Sequence, residues 1–329
     1  MGDRLLEVKN LNVSFKNKKD VVSVVEGVDF RVERGEIIGI VGESGCGKSV
    51  TSLSLLQLNA SNVVYGAESE INYNGENLLK KSNRELRNIR GKEISVIFQD
   101  SLTGLDPVLP LGKIMVEAIR AHRKISKREA LEESIAMLAS VGIPAPEVRI
   151  KEYAHQLSGG MRQRVMIALA MLHHSKLLIA DEPTTALDVT IQDHILQLIK
   201  KVKEENGMSV VLITHDMGVV AEMTDRIYVM YAGHIVEAAP TADIFESPLH
   251  PYTVGLLKSI PRLDQADSER LYTIPGQVPL PGSIKKGCRF CNRCSEACTK
   301  CFEEEPPVFE FGVKQVKCWK YEAAAEESI

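Results

Sequence analysis

Apolar and polar residues alternate along the N-terminal part of the chain, and further on they give way to short, largely apolar runs. Residues 5–15 and 24–32 alternate between the two classes, which is typical of strands with one face on a core and one in water. The largely apolar runs then predict buried strands. These buried strands are predicted at residues 37–41, 94–98, 177–181 and 209–214.

Helical periodicity and proline content divide the remainder of the chain. The predicted helices cover residues 49–57, 113–122, 126–141, 161–173 and 191–203. Gly142 and Pro144 end the third helix, and residues 227–231 and 234–237 predict a hairpin. We therefore expect an α/β domain over residues 1–240 with a helical subdomain inserted at about 100–160. Seven prolines between residues 240 and 281 predict a loop-rich extension over residues 241–329.

A glycine-rich segment joins the strand at 37–41 to the next helix. Residues 42–49 read Gly-Glu-Ser-Gly-Cys-Gly-Lys-Ser, a phosphate-binding loop of the form G-x-x-x-x-G-K-[ST]. Glycines let successive backbone N–H groups point at phosphate oxygens, Lys48 reaches the β- and γ-phosphates, and the Ser49 hydroxyl holds Mg²⁺. The helix N-terminus faces the phosphates. The predicted nucleotide contacts are Gly42, Ser44, Gly45, Cys46, Gly47, Lys48, Ser49 and Val50.

Two adjacent carboxylates end the buried strand at 177–181. Asp181 is the expected Mg²⁺ ligand, and Glu182 is the expected acceptor of a proton from the attacking water. Pro183 follows them, so the pair ends a strand and does not cap a helix. His215 ends the strand at 209–214, and we expect it to contact the γ-phosphate.

Two further features leave alternatives open. Ser158, Gly159 and Gly160 precede a helix and predict an anion site, although the same residues also make ordinary turns. Phe15 is a candidate stacking surface for a purine base and equally a candidate core aromatic.

Composition narrows the classes of function. With 44% hydrophobic and 26% charged residues, the chain of 329 residues is ordinary for a globular protein with a sizeable core. A net charge of −4 and a pI of about 6.1 give no electrostatic case for nucleic acid. No apolar run approaches the roughly 18 residues of a membrane span, and the N-terminus has no apolar signal segment. We expect a cytosolic protein, or one attached to a membrane only through partners.

Six of the seven cysteines cluster near the C-terminus, and in a reducing compartment such a cluster suggests metal rather than disulfides. They are Cys288, Cys291, Cys294, Cys298, Cys301 and Cys318. The first four match the C-x₂-C-x₂-C-x₃-C run of bacterial ferredoxins, except that Thr299 replaces the usual proline. Thiolates suit zinc and iron–sulfur clusters alike, so both stay open.

The order of these motifs resembles the nucleotide-binding domain of ATP-binding-cassette (ABC) proteins over residues 4–240. The motifs are the phosphate loop, Gln99, Leu157-Ser158-Gly159-Gly160-Met161, Asp181-Glu182 and His215. The resemblance implies an ATP hydrolase with a P-loop α/β fold, an antiparallel β-subdomain and an inserted helical subdomain.

The same resemblance implies several residue roles. Gln99 would sense Mg²⁺ and water, and residues 157–161 would be the signature that binds the other subunit's ATP. Asp188 would be the D-loop acid at the dimer interface, and Phe15 falls where the adenine-stacking aromatic lies.

A narrower resemblance links the chain to dipeptide and oligopeptide ABC importers. It rests on residues 181–192, on Pro248-Leu249-His250-Pro251-Tyr252-Thr253 and on the cysteine-bearing C-terminus. The pair Thr184-Thr185 looks like the D-type ATPase subunit, which implies a heterodimer with an F-type subunit. The loop after Gln99, residues 100–107, departs mildly from the family pattern.

That narrower resemblance also implies partners and a place in the cell. The partners are two membrane-spanning permease subunits and, indirectly, an extracytoplasmic peptide-binding protein, with the chain at the cytoplasmic face of the membrane. In isolation, a homodimer with ATP is expected. For the C-terminus, the resemblance implies a [4Fe–4S] cluster on Cys288, Cys294, Cys301 and Cys318, with zinc as the rival. Two other functions stay open: a soluble ABC ATPase acting on the ribosome or nucleic acid, and an importer of another substrate such as a nickel complex.

Overall fold

The computed structural model describes residues 3–18, 20–99, 104–184, 187–260 and 272–326. The first half of the loop after Gln99, residues 100–103, lies outside this description, as do Thr185 and the last residues of the tail. The strands are β1 (Arg4–Lys16), β2 (Val21–Glu33), β3 (Ile37–Val41), β4 (Val63–Tyr65), β5 (Glu70–Tyr73), β6 (Glu76–Asn77), β7 (Ile94–Ile97), β8 (Leu177–Asp181), β9 (Ser209–Thr214), β10 (Arg226–Tyr231), β11 (His234–Pro240), β12 (Phe309–Phe311) and β13 (Lys314–Val316).

Helices connect most of these strands. They are α1 (Lys48–Ser54), α2 (Asn83–Ile89), α3 (Leu111–His122), α4 (Lys127–Ser140), α5 (Pro146–Arg149), α6 (Gly159–Met171), α7 (Val189–Asn206), α8 (Met217–Met223), α9 (Thr241–Glu246), α10 (Pro251–Lys258), α11 (Thr299–Glu303) and α12 (Glu322–Glu326). The chain forms two compact units. The phosphate-loop unit comprises Arg4–Val32, Ile37–Leu79 and Thr214–Ile329, and the signature unit comprises Met1–Asp3, Glu33–Glu36 and Lys80–Ile213.

The phosphate-loop unit contains a small sheet built from the alternating N-terminal segments. Its strand order is β2-β1-β5-β6, with β4 also paired to β1. Strands β4 and β5 run antiparallel to β1, with Leu6 opposite Tyr73. Leu6, Val8 and Leu11 are almost fully buried, so the predicted apolar face of β1 is confirmed.

The same unit contains a second group of strands in the order β12-β13-β11-β10-β3. Strand β3 is parallel to β10, and β11 pairs antiparallel with both β10 and β13. The hairpin predicted after residue 226 is therefore confirmed. Its strand β11 runs longer than predicted.

The loop-rich extension predicted after residue 240 is only partly correct. Helices α9 and α10 fill its first part, and β13 pairs with β11 through Glu237 and Val316. The prolines misled the prediction because Pro251 occupies the first turn of α10 behind the cap residue His250, where its missing N–H costs nothing. The division at residue 240 stays a prediction.

The signature unit contains the parallel strands β7, β8 and β9, with β8 in the middle. All five residues of β8 are buried. Ser126 caps α4 through a capping box with Glu129, and the helix ends at Ser140 before Gly142 at a φ of 72°. The predicted helices of this unit are confirmed, with α7 extended to Val189–Asn206 by its cap, Asp188, and by Gly207.

Helix α1 is shorter than predicted. It ends at Ser54, whereas the apolar pattern predicted helix to Gln57. Gln57 has a left-handed backbone with a φ of 51°, and its side chain donates to the backbone oxygen of Leu78 at 2.6 Å. This local hydrogen bond competes with continuation of the helix.

Candidate nucleotide-binding site

The backbone of the phosphate loop takes conformations that only glycine adopts easily. Gly42, Gly45 and Gly47 have φ values of 153°, 82° and 106°. A Cβ atom on Gly42 would lie 2.2 Å from the backbone oxygen of Met230, so the loop passes that strand too closely for any side chain. The glycine spacing of the motif is thus explained by both conformation and contact.

Lys48 is buried beneath this loop. Its side chain donates to the backbone oxygens of Gly42 at 2.7 Å and Glu43 at 3.1 Å, and only 5% of the residue is exposed. The ammonium is therefore held inside the curl of the loop. Ser44 and Gly45 lie at its exposed crest, while Ser49 and Val50 begin α1 and are half-buried.

Cys46 is the buried member of the loop. Burial raises the pKa of its thiol, so the group is neutral at physiological pH. Its backbone oxygen accepts a hydrogen bond from the N–H of Gly233 at 2.9 Å. The cysteine therefore anchors the loop to the turn between β10 and β11.

Phe15 and His215 are the other predicted site residues of the phosphate-loop unit. Phe15 is half-buried near the end of β1, opposite Val63 of β4. His215 directly follows β9 and is exposed. Both positions leave part of the ring open to a ligand.

Gln99, Asp181 and Glu182 belong to the signature unit, where two of them are joined. Gln99 donates from Nε2 to Oε2 of Glu182 at 3.1 Å. Asp181 is 4% exposed at the end of β8. Glu182 has a φ of 48°, and its N–H donates to the oxygen of Ile213 at 2.8 Å. This left-handed turn redirects its carboxylate away from the line of the strand.

The loop after Glu182 is fixed from below. Gln163, which is 2% exposed, donates from Nε2 to the backbone oxygen of Pro183 at 2.8 Å. This buried hydrogen bond comes from α6, so the helix that begins at the signature supports the carboxylate pair.

Ser158 and Asp188 are exposed and cap the helices that follow them, whereas Gly159 and Gly160 are half-buried. Ser158 caps α6 by accepting from the N–H of Met161 at 3.3 Å, and Asp188 caps α7 by accepting from the N–H of Ile191 at 3.0 Å. A Cβ atom on Gly159 would meet nothing within 4 Å. The start of α6 therefore presents N–H groups to open space, as an anion site requires.

The C-terminal cysteines are free thiols in the phosphate-loop unit. Burial, followed by the nearby Cys301 and Cys318, raises the pKa of Cys288 to about 12. Burial, followed by the nearby Cys294 and Cys301, raises the pKa of Cys318 to about 11. Within the part of the chain that the structure describes, no three His, Cys, Asp or Glu side chains are grouped so as to hold a metal ion.

Close backbone contacts tie the cysteine segments together. The N–H of Cys288 donates to the oxygen of Cys301 at 2.7 Å. A Cβ atom on Gly287 would lie 2.4 Å from that same oxygen, and Gly287 has a φ of 77°. The glycine is therefore required for the approach of the two segments.

Sequence reasoning missed three residues at the phosphate loop. Glu43 occupies a variable position of the motif, yet its carboxylate contacts Arg293 and its N–H contacts Tyr252. The available signal was indirect: Tyr252 and Arg293 lie in segments that the resemblance to importers singled out.

Known protein families and solved structures resemble this chain. Residues 25–185 match the family described as "ABC transporter", and residues 236–301 match "Oligopeptide/dipeptide transporter, C-terminal region". None of the described helices combines the length and apolar character that a membrane crossing needs.

Curated relatives match along nearly the whole chain. The chain is 48% identical over 317 residues to the oligopeptide transport ATP-binding protein OppD of Bacillus subtilis, covering 96% of this chain and 88% of that protein. It is 46% identical over 328 residues to the dipeptide transport ATP-binding protein DppD of the same organism, covering 99% and 98%.

Solved structures show the same architecture. The ATP-binding cassette MJ0796, solved as a dimer in a post-hydrolysis state with ADP and Pi, superposes with a TM-score of 0.65 at 28% identity, covering 72% of this chain and 98% of that chain. The structure of cbiO1 from Clostridium perfringens, part of the ABC transporter complex cbiONQ, gives a TM-score of 0.60 at 25% identity, covering 74% and 92%.

Proposed function

The chain belongs to the ATP-binding subunits of the oligopeptide and dipeptide ABC transporters, and we propose that its hydrolysis of ATP drives the import of peptides. Its identity of 48% to a relative along 96% of the chain carries this conclusion. The phosphate loop and the matched C-terminal region fit it equally. An ATPase acting on ribosomes or nucleic acid is not favoured, because residues 236–301 match the C-terminal region of oligopeptide and dipeptide transporters.

The phosphate loop supplies the ATP-binding half of this function. The N–H groups of Gly42 to Ser49 would surround the phosphates, with Lys48 on the β- and γ-phosphates and Ser49 on Mg²⁺. Lys48 already points into the curl of the loop, where it bonds loop oxygens that a nucleotide would replace. Phe15 would stack on the adenine from its half-exposed position on β1.

Residues at the ends of β7, β8 and β9 would carry out hydrolysis. We assign Asp181 and Gln99 as further Mg²⁺ ligands and Glu182 as the base that accepts a proton from water. The hydrogen bond from Gln99 to Glu182 supports this assignment, because it brings the two side chains together and orients the carboxylate. His215 would stabilise charge on the transferring phosphoryl group.

A second subunit completes each site in this proposal. The signature residues Ser158, Gly159 and Gly160 would close on the γ-phosphate of ATP held by a facing subunit, and Asp188 would lie at that interface. The exposure of Ser158 and Asp188 supports a role outside their own chain. We propose an F-type ATPase subunit as the natural partner and a homodimer for the isolated chain.

The transport partners follow from the family. Two membrane-spanning permease subunits would hold the chain at the cytoplasmic face of the membrane, and an extracytoplasmic protein would select the peptide. A nickel complex is the alternative cargo.

For the cysteine region, we propose a [4Fe–4S] cluster on Cys288, Cys294, Cys301 and Cys318. After burial, Cys301 and Cys318 raise the pKa of Cys288, and Cys294 and Cys301 raise that of Cys318, which supports placing these four thiols near one another. Backbone N–H groups also lower the pKa of individual thiols, as that of Phe290 does for Cys288, and such donors favour a thiolate ligand.

Zinc is the rival for these cysteines. A single zinc at about 2.3 Å from each sulfur needs its ligands packed tightly together. A four-iron cluster also takes four cysteine thiolates. Iron, acid-labile sulfide and zinc should be measured on protein purified without oxygen. About four irons and four sulfides per chain would support the cluster, whereas zinc without sulfide would replace it.

Two experiments test the transport function. The variant Lys48→Ala should lose MgATP binding, and normal ATP affinity would contradict the loop assignment. A pull-down of the chain from native membranes in detergent should recover two polytopic subunits. Recovery of ribosomes or nucleic acid instead would overturn the transport proposal.

A further inference from the structure

A buried ion pair joins the C-terminal region to the phosphate loop within the phosphate-loop unit. Arg293 donates from Nη1 to Oε2 of Glu43 at 2.6 Å and from Nη2 to Oε1 at 3.0 Å. Only 5% of the Arg293 side chain is exposed, against 30% for Glu43. Such two-pronged pairing fixes direction as well as distance.

The arginine itself is held from behind. Its Nε donates to the backbone oxygen of Pro275 at 2.7 Å, and its guanidinium lies 5.7 Å from the ring centre of Tyr231. Four of its contacts are thus set before the nucleotide arrives, two on Glu43 and one each on Pro275 and Tyr231. A lysine could not reproduce this fork.

The backbone of Glu43 is fixed by a second residue. Its N–H donates to the hydroxyl of Tyr252 at 2.8 Å. Tyr252 is fully buried in α10 and packs against Tyr231 at 4.6 Å and Phe290 at 5.3 Å between ring centres. The hydroxyl therefore has little freedom to move.

Glu43 is consequently tied at all three of its polar groups. Arg293 holds the carboxylate, Tyr252 holds the N–H, and Lys48 donates to the backbone oxygen at 3.1 Å. The next residues, Ser44 and Gly45, are the exposed crest of the loop. The position of that crest is set by where Glu43 is held.

We propose that Arg293 and Tyr252 are positioning residues of the ATP site, which hold Glu43 so that the loop is preshaped for the nucleotide phosphates. This inference rests on the proposed binding of ATP by the loop. It makes the C-terminal region part of the nucleotide site, because the ion pair and the tyrosine hydroxyl both come from residues beyond 250. Preshaping lowers the cost of ordering the loop on binding, so its loss weakens affinity.

A double-mutant cycle on the full-length chain tests the route through Glu43. The variants are Arg293→Gln, Glu43→Gln and the double variant, and the readouts are the Kd of MgATP from fluorescence competition and the melting temperature. We expect each single variant to weaken ATP binding about tenfold, with the double variant no weaker than the worse single. The value of kcat at saturating ATP should change far less than KM, because neither residue touches the reacting atoms.

Arg123→Gln is the matched control for loss of a two-pronged ion pair. Arg123 pairs with Glu133 at 2.7 and 2.9 Å in the signature unit, with 40% of its side chain exposed. We expect wild-type ATP affinity from this variant. Tyr252→Phe removes one hydroxyl without opening a cavity and should weaken binding about threefold.

Wild-type ATP affinity in Arg293→Gln would overturn the proposal. So would losses that add fully in the double variant, because Arg293 would then act without Glu43. Arg293→Lys should recover only part of the affinity. The variant Lys48→Ala separates the two proposals: if it too binds ATP normally, the assignment of the loop fails before that of its supports.

Discussion

We propose that two segments of this chain present backbone N–H groups to phosphate, and these two segments are built in opposite ways. The phosphate loop is cross-braced: its lysine is 5% exposed and bonds the oxygens of Gly42 and Glu43. At the signature start of α6, Ser158 is exposed and caps its own helix. The phosphate loop therefore has its shape before ATP binds. The start of α6 is ordered only by local contacts and stays accessible to a partner.

The difference between the two segments fits the proposed catalytic site, to which each of two subunits contributes one segment. A loop that must surround phosphates alone needs glycines, close strand contacts and supports from distant residues. A segment that meets the nucleotide only from a facing subunit needs exposed N–H groups and room in front of them. Gly42 and Gly159 show the contrast, since a Cβ would lie 2.2 Å from a backbone oxygen at one and meet nothing within 4 Å at the other.

The largest expected effect separates binding from hydrolysis. Glu182→Gln keeps the hydrogen-bonding shape of the side chain but cannot accept a proton. We expect MgATP affinity near wild type and a loss of about 10²- to 10⁴-fold in hydrolysis, measured by phosphate release. Glu205→Gln, an exposed acid of α7, is the control. Normal turnover in Glu182→Gln would remove the base assignment.

The second-largest effect is expected from a substitution in the phosphate loop itself. Gly42→Ala forces a Cβ against the oxygen of Met230 and a φ of 153° on an alanine, so the loop cannot close. We expect ATP affinity to fall by about 100-fold or more and the melting temperature to drop, as strain of this kind costs a few kcal/mol.

Gly75→Ala is the matched control for that change. Gly75 also has a positive φ, of 81°, but nothing lies within 4 Å of its Cβ position. It should cost only about 1–2 kcal/mol of backbone strain and leave ATP affinity unchanged. Equal effects of the two alanines on ATP binding would show that strand contact at the loop is unimportant.

We expect a substitution in the signature to change folding stability little but to affect dimerisation strongly. Gly159→Asp places a carboxylate in open space at the first turn of α6, where it suits the helix dipole but repels phosphate. We expect the unfolding free energy to stay within about 0.5 kcal/mol of wild type. ATP-dependent dimerisation, followed by sedimentation, should be lost.

Lys127→Asp puts the same charge at the same position of α4 and serves as its control. It should dimerise normally. Normal dimerisation by Gly159→Asp itself would show that the start of α6 does not meet nucleotide.

The smallest effect concerns the helix that carries Tyr252. His250 caps α10 by accepting the Tyr252 N–H on Nδ1, and burial lowers its pKa to about 3. The unfolded chain, with a histidine pKa near 6.5, therefore binds more protons between those values, so stability falls as pH drops through 6.5.

Below pH 6.5, we expect buried His250 to lower the free energy of unfolding by about 1.4 kcal/mol per pH unit. The buried Glu237, whose pKa is raised by burial, works in the opposite direction, so the comparison must be between variants. His250→Asn can still cap the helix but does not titrate, and its unfolding free energy from pH 7 to 5.5 should fall less than that of wild type. Parallel pH profiles would contradict the assignment; exposed His155→Asn should follow wild type.

Local sequence pattern predicts most helices and strands well, and it marks the glycine-rich loop and the start of α6. Strands β3, β8 and β9 are largely apolar runs, and the cap residues Ser158 and Asp188 mark their helices directly. These features depend on neighbours within a few residues, which the sequence displays.

The supports of the loop could not be predicted in the same way. Glu43 meets Tyr252 and Arg293 across more than 200 residues of chain, and nothing local marks a variable loop position as one end of an ion pair. The prolines after residue 240 misled for a related reason: Pro251 starts a helix, and only its cap, His250, distinguishes that role from a loop. The turn of Glu182 at a φ of 48° likewise follows from the tertiary hydrogen bond to Ile213.

We propose that one chain's loop works with another chain's signature, and a mixture of two inactive variants shows whether it does. Lys48→Ala lacks a working loop and Gly159→Asp lacks a working signature, so each alone should hydrolyse almost no MgATP. In a one-to-one mixture, a mixed dimer contains one site with an intact loop and an intact signature. We expect ATPase activity to return in the mixture, in proportion to the number of mixed dimers, which sedimentation measures. Mixed dimers that form and stay inactive would contradict it.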